Sequence, residues 1–208
     1  MSEEFKNRKS YQSILVAGKA LFWRFGIKRV SVEEICKHAN VSKMTYYRMF
    51  NNKSELVVLL ISKWYAESFT KHQATMASDL PFGKKVEELI LNEYESSKGV
   101  SAEFLTEIFA SEDEGLQKLV AELTEKGLAE TRKDFLQAQK AGDIRRDIKI
   151  DSIFYMIGVI HEKVQDPNFL ALHNNPQEAI LELINFFFYG ILILKAPDNV
   201  FNKSNLKK

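Results

Sequence analysis

One short stretch of the chain gathers a serine, two cations, a threonine and a phenol: Ser42, Lys43, Thr45, Tyr47 and Arg48. Each can donate or accept hydrogen bonds, but nothing among them forms a nucleophile, base and orienting partner. Such a set suits recognition of polar surfaces better than bond making. The rest of the chain adds no catalytic pattern: there is no GxGxxG, P-loop, nucleophile elbow or HExxH. His38, His72, His161 and His173 are scattered without metal-ligand spacing. The sequence therefore argues against an enzyme, a metal site or a cofactor.

Charge says where a partner would bind. Residues 1–64 hold 12 Lys/Arg against 5 Asp/Glu, a net +7, while residues 65–208 hold 17 against 23, a net −6. A basic end joined to an acidic remainder directs the N-terminal part toward a polyanion. The single Cys36 excludes an internal disulfide, and no basic-then-apolar leader opens the sequence. Both point to the cytoplasm. At 208 residues and 45 % apolar composition the chain can bury a core. Nine Gly and four Pro argue against a turn-rich β fold.

The elements that must hold the polar set are helices. Tyr11, Ile14, Leu15, Gly18, Leu21, Phe22 and Phe25 form an i, i+3, i+4, i+7 stripe, predicting a helix from about residue 6 to 25 that stops at Gly26. Ser31 with Glu34 is a capping box, and Val32, Ile35, Cys36 and Ala39 make the apolar face of a second, short helix. Cys36 reads as a small core residue. Asn40 suits a left-handed turn. Ser42 then caps a third helix ending near Met49, and Asn52 caps a long fourth helix reaching about residue 76. Residues 72–83 read as a loop, followed by helices at about 83–97, 101–110, 114–141, 149–164 and 176–195. The expected fold is all-α: an N-terminal three-helix helix-turn-helix domain, residues 1–52, and a C-terminal helical bundle, residues 53–208, with about nine helices in all.

Two capped short helices joined by a tight turn make a helix-turn-helix, although two ordinary packed helices would have the same spacing. The run SVEEICKHANVSKMTYYRMFNNKSEL, Ser31 to Leu56, resembles the DNA-binding signature of the tetracycline-repressor (TetR) family at Ile35, Ala39, Val41, Ser42, Thr45, Tyr47, Phe50, Lys53 and Leu56. The first helix, with Phe22 and Phe25-Gly26, fits as well. Asn40 stands where a Gly is usual, Tyr46 where an aliphatic is usual, and Met49 where a His is usual.

The resemblance implies that the third helix enters the major groove of double-stranded operator DNA. Lys43 and Met44 would then meet base edges, Lys43 through guanine O6 and N7 and Met44 through a thymine methyl. Thr45 would touch a base or phosphate and Tyr47 a phosphate, with Arg48 beside them. Lys53 and Ser31 would meet phosphates at helix N-termini. Lys6, Arg8 and Lys9 would form a basic arm. Tyr46 reads as core and Trp64 as a packing residue.

The run 180–195 is apolar nearly all round, yet Glu182 and Asn185 interrupt it short of the about 20 residues a bilayer needs, so no membrane is implied. A helix apolar on every side is otherwise buried, here against its own domain and a second subunit. Gly158 and Gly190 would allow close approach. Ile157, Gly158, His161, Ile184, Phe187, Gly190 and Ile191 are the candidate homodimer interface, which the resemblance also implies. Tyr94, Phe104, Phe109, Tyr155, Met156 and His161 are candidates for an effector pocket, since the family encloses a small molecule in this region. Regulator families of this kind are most often repressors. An all-α dimer whose helix-turn-helix serves protein interaction or non-specific DNA binding is the alternative.

Overall fold

A computed structural model describes residues 9–163 and 166–191. Lys6 and Arg8, and the side chains of Tyr94, His161 and Ile184, lie outside the described residues. Among those described there is no strand. The elements are α1 (Lys9–Phe25), α2 (Val32–Ala39), α3 (Lys43–Tyr47), α4 (Lys53–Ala77), α5 (Phe82–Ser97), α6 (Ala102–Phe109), α7 (Glu114–Ala141), α8 (Ile150–Lys163), the single turn α9 (Pro167–Leu170) and α10 (Pro176–Ile191).

The loop expected over residues 72–83 shrinks to 78–81. α4 continues through Thr75, which is buried, and stops where Ser78 caps it, its N–H and hydroxyl both donating to the Thr75 carbonyl. Pro81 then starts the next helix, its carbonyl accepting from Lys84 N–H at 2.8 Å. Nothing in His72–Met76 breaks a helix, so the polar composition misled. α9 was not foreseen either, being too short for a period to show.

By packing, the chain falls into two compact units. One comprises residues 1–79 and 87–131, the other residues 80–86 and 132–208. The helix-turn-helix thus shares a unit with α4, α6 and the first part of α7. Its core joins Ile14, Leu15, Phe22, Ile35, Tyr46, Phe50, Leu56 and Ile61 to Phe104 and Ile108 of α6. α1 passes close to α4: a Cβ on Gly18 would lie 2.9 Å from Leu56 Cδ2, so only hydrogen fits there. Trp23 meets Trp64 edge to face, centroids 5.4 Å apart, and Phe104 at 4.3 Å.

The other unit is built round Phe135, which touches the rings of Phe82, Phe154 and Phe188. α7 ends at Gly142, φ +91°, with Gly142 and Asp143 N–H both donating to the Ala138 carbonyl. Arg145 then closes the far end of α10: its N–H donates to the Ile191 carbonyl and its guanidinium to that of Gly190.

Before α10 the chain turns on His173. Its Nδ1 lies 3.1 Å from the Phe169 carbonyl and its Nε2 3.1 Å from Glu182 Oε2. Both partners are acceptors, so only the imidazolium satisfies both. The Phe169 carbonyl first, then Glu182 and Glu178, raise its pKa above the ordinary 6.5, against desolvation. A raised folded-state pKa stabilises fully below the unfolded value, and the contribution disappears as pH rises through the folded one. Amide exchange at Glu178 and Ala179, corrected for intrinsic rate, should therefore be slower at about pH 6 than at about pH 8. The difference should vanish in His173→Gln; equal protection in the wild type at both pH values would contradict this role.

Candidate nucleic-acid interface

The recognition frame is set by three caps. Ser31 opens α2: its hydroxyl accepts from Glu34 N–H at 3.2 Å, and Glu34 Oε2 accepts from Ser31 N–H at 2.8 Å. Ser42 opens α3, accepting from Thr45 N–H at 3.0 Å while lying 2.9 Å from the Thr45 hydroxyl. Asn52 opens α4, accepting from Glu55 N–H at 2.9 Å. Such caps are worth about 1 kcal/mol each, enough to decide whether a five-residue helix holds. Between α2 and α3, Asn40 sits at φ 53°, ψ 48°, the left-handed conformation its side chain tolerates. Val41 N–H then closes the turn on the Cys36 carbonyl at 3.0 Å. Cys36 itself is buried, and burial pushes its thiol pKa up, which suits a core residue rather than a nucleophile.

α3 shows two faces. Tyr46 is fully buried, its ring packed at a tilt against Phe50 and its hydroxyl donating to the Asn52 carbonyl at 3.3 Å. Met49 is buried behind it. Ser42, Lys43, Met44, Tyr47 and Arg48 are exposed, with Met44 at 75 % and Tyr47 at 53 %, and Thr45 is half-buried. A thioether that exposed has no packing role in the protomer. The candidate contacts of the short helix therefore share one solvent-facing side, while its bulky aromatic anchors the other. Lys9 is exposed at the start of α1.

Lys43 is not a free cation. Its ammonium lies 2.7 Å from Glu33 Oε2 in the first turn of α2, both side chains exposed. That hydrogen bond, with the attraction behind it, pushes the Glu33 carboxyl below its ordinary range and the Lys43 ammonium above it.

Lys53 departs furthest from the sequence reading. Its ammonium does not face outward from α4. It donates to the carbonyls of Ile27 at 2.7 Å, Val30 at 2.8 Å and, more weakly, Lys28 at 3.4 Å. Desolvation lowers its pKa, opposed by Glu107 and Glu34. The other side of the same loop is held from α6: Glu107 Oε2 accepts from Ile27 N–H and from Lys28 N–H at 3.0 Å. The loop needs Gly26 at φ +82°, where a Cβ would lie 2.7 Å from Glu103 Cγ and 2.9 Å from Glu107 Oε2. The residue expected on a phosphate is in this geometry a clamp on the loop that leads into α2. Sequence reading missed Glu107 altogether, because its partner is a backbone 80 positions away.

Two capped short helices, a left-handed turn and an exposed polar face on the second reproduce the helix-turn-helix that the residues predicted. The family model of bacterial regulatory proteins of the tetR family matches residues 14–60, which spans α1 through the first turns of α4. Residues 14–60 thus match the TetR family. Over 73 residues, 35 % of the chain, it is 36 % identical to the HTH-type transcriptional regulator YhgD of Bacillus subtilis (strain 168), and that match spans 38 % of YhgD's length. In fold it is similar to the fatty acid degradation regulator FadR from Bacillus halodurans, with TM-score 0.70 and 16 % identity, covering 87 % of this chain and 95 % of that one. It is likewise similar to FadR from Bacillus subtilis, solved in complex with stearoyl-CoA, with TM-score 0.67 and 16 % identity over 87 % and 99 % of the two chains.

The effector candidates differ in burial. Phe104 is fully buried in the core with Trp23 and Trp64, and Phe109 is 42 % exposed at the end of α6. Tyr155 at 74 % and Met156 at 43 % exposure lie on the outer side of α8. Helical spacing assigns a residue to a face without saying what that face meets. An open groove of about 670 Å³ runs instead along α10, lined by His173, Glu182, Asn185, Phe186 and Tyr189 among others.

Of the dimer candidates, Gly158 and Gly190 are exposed, and among the described residues a Cβ on either would meet nothing within 4 Å. The close approach expected of them is thus not made within the protomer. Ile157 and Phe187 are half-buried. Ile191 is buried in its own unit and does not face outward. Among the described residues no helix is long and apolar enough to cross a membrane.

Proposed function

We propose that this TetR-family chain is a homodimeric, sequence-specific DNA-binding transcriptional regulator, most simply a repressor released from its operator by a small molecule. The observation that carries the reading is the exposed polar face of α3, held by the Ser42 cap and the buried Tyr46 within the segment that matches the family model. In this reading residues 1–52 bind DNA and residues 53–208 sense the effector and dimerise. Lys43 and Met44 read bases, Thr45 touches a base or phosphate, and Tyr47 and Arg48 position the protein on the backbone. Ser31 and Ser42 act chiefly through the helix N-termini they cap. The chain is not an enzyme, and its place of action is where the operator is, in the cytoplasm. Mapping the sites that purified protein occupies on genomic DNA tests the reading: a few strong sites with a shared two-fold sequence support it, and uniform occupancy defeats it.

Dimerisation through α8 and α10 is supported by Tyr155, Phe186 and Tyr189, which are 74, 73 and 55 % exposed, and by the two exposed glycines beside them in sequence. A Cβ added at Gly190 meets nothing within 4 Å among the described residues, so Gly190→Arg should leave the fold intact and convert a sedimenting dimer to a monomer. A wild type that sediments as a monomer at micromolar concentration would refute the interface. An apolar effector is supported by the stearoyl-CoA held by the Bacillus subtilis FadR, whose fold this chain shares. Thermal-shift measurement with long-chain acyl thioesters should find stabilisation together with loss of DNA binding.

A further inference from the structure

Glu33 is an acid placed where a DNA-binding surface gains nothing from one. It is 74 % exposed in the first turn of α2, and its carboxylate holds Lys43, the first residue of the helix that faces the groove, at 2.7 Å. The capping carboxylate of that turn is Glu34, so Glu33 is not needed to close α2. Charge of this sign beside phosphates lowers affinity for every DNA sequence alike.

We propose that Glu33 is a specificity-determining positioning residue, which holds the Lys43 ammonium for a base edge and withholds its charge from phosphates. The inference rests on the reading of α3 as the groove-entering helix. An ammonium carries three donors. Glu33 takes one, leaving two that match the paired O6 and N7 acceptors of a guanine. The pairing also restrains a side chain that is otherwise free to sample many rotamers, so less freedom is lost when the base is met. Away from its preferred base pair, the Glu33–Lys43 unit is neutral overall and releases little counterion on a phosphate. Both effects act on the ratio between specific and non-specific binding. Exposed ion pairs are individually weak, which lets the pair adjust in the groove without a large barrier.

The test measures binding of the full-length protein to its selected operator duplex and to a scrambled duplex of equal length, at two salt concentrations. Variants are Glu33→Gln, Lys43→Ala and the double. Glu33→Gln should tighten the scrambled duplex about 3–10-fold for the two subunits together while changing the operator by less than about 2-fold. It should also steepen the scrambled-duplex salt slope by about 1–2 for the dimer. In the Lys43→Ala background the same substitution should leave the ratio between the two duplexes unchanged, as required if Glu33 acts through Lys43. Thermal midpoints within a few degrees of wild type would show that the fold is retained. An unchanged ratio in Glu33→Gln overturns the proposal. So does an equal change with and without Lys43, which would mark Glu33 as a plain repeller of phosphate. A wild type that binds both duplexes equally removes the underlying reading of α3, and the inference with it.

Discussion

Lys53→Met should lower the unfolding free energy by about 2–4 kcal/mol, because it leaves carbonyls of the α1–α2 loop without a charged donor. Two of the three hydrogen bonds are short, to Ile27 and Val30, and the ammonium is half-buried. A thioether of similar length fills the space and supplies no proton. Lys53→Arg should recover only part of the loss, since a planar fork cannot aim at carbonyls arranged round a point charge. The loop leads directly into α2, so the folded variant should also bind operator more weakly. Its salt dependence, however, should keep the wild-type slope. A phosphate-contacting lysine would behave in the opposite way: little stability lost, and a slope flattened by about 0.9 per subunit. Chemical denaturation and a salt titration on the same variant separate the two, and the second pattern would return Lys53 to the DNA.

Tyr46→Ala should be more severe still, at about 3–5 kcal/mol. The ring is fully buried, packs on Phe50 and Tyr47, and is the one buried side chain of α3. A five-residue helix has almost no stability of its own. With its anchor gone, the exposed face carrying Lys43, Met44 and Tyr47 has nothing to hold it, so operator binding should fail although no DNA-facing atom was removed. Tyr46→Phe keeps the ring and loses only the bond to the Asn52 carbonyl. It should cost about 1 kcal/mol and leave operator affinity within a few fold. Near-equal stability of Tyr46→Ala and Tyr46→Phe in urea would contradict the anchoring role.

Much of the fold was legible because its signals are local. The Ser31–Glu34 capping box, the Ser42 and Asn52 caps, Asn40 in the left-handed region and Gly142 at the end of α7 each follow from residue type over four or five positions. The bulk of Tyr46 was legible as core, because the resemblance places an apolar core residue at that position. What stayed hidden depends on chain segments distant in sequence. Nothing in the N-terminal run says that Lys53 turns back onto residues 27–30, or that Glu107 of α6 holds the same loop. Glu33 and Lys43 meet across the turn, ten positions apart, so neither helix alone reveals their pairing. The burial of the effector candidates stayed hidden for the same reason: an aromatic at helical spacing can be core, as Phe104 is, or surface, as Tyr155 is. Within residues 72–83 the break is confined to Ser78 to Pro81, because the residues before it have no helix breaker and continue the helix.

The most direct measurement is a binding-site selection from random duplexes with wild type, Lys43→Ala and Tyr47→Phe. Wild type should recover a two-fold sequence whose half-sites lie about one helical turn apart, or a multiple of it. Lys43→Ala should cost about 1–3 kcal/mol on that sequence and relax one base pair in each half-site. Tyr47→Phe should weaken binding to all sequences alike, because a phosphate carries no sequence information. Failure of the wild type to enrich any sequence, or a preference that survives Lys43→Ala and changes in Tyr47→Phe, would contradict the assignment of α3 as the reading helix and of Lys43 as its reader.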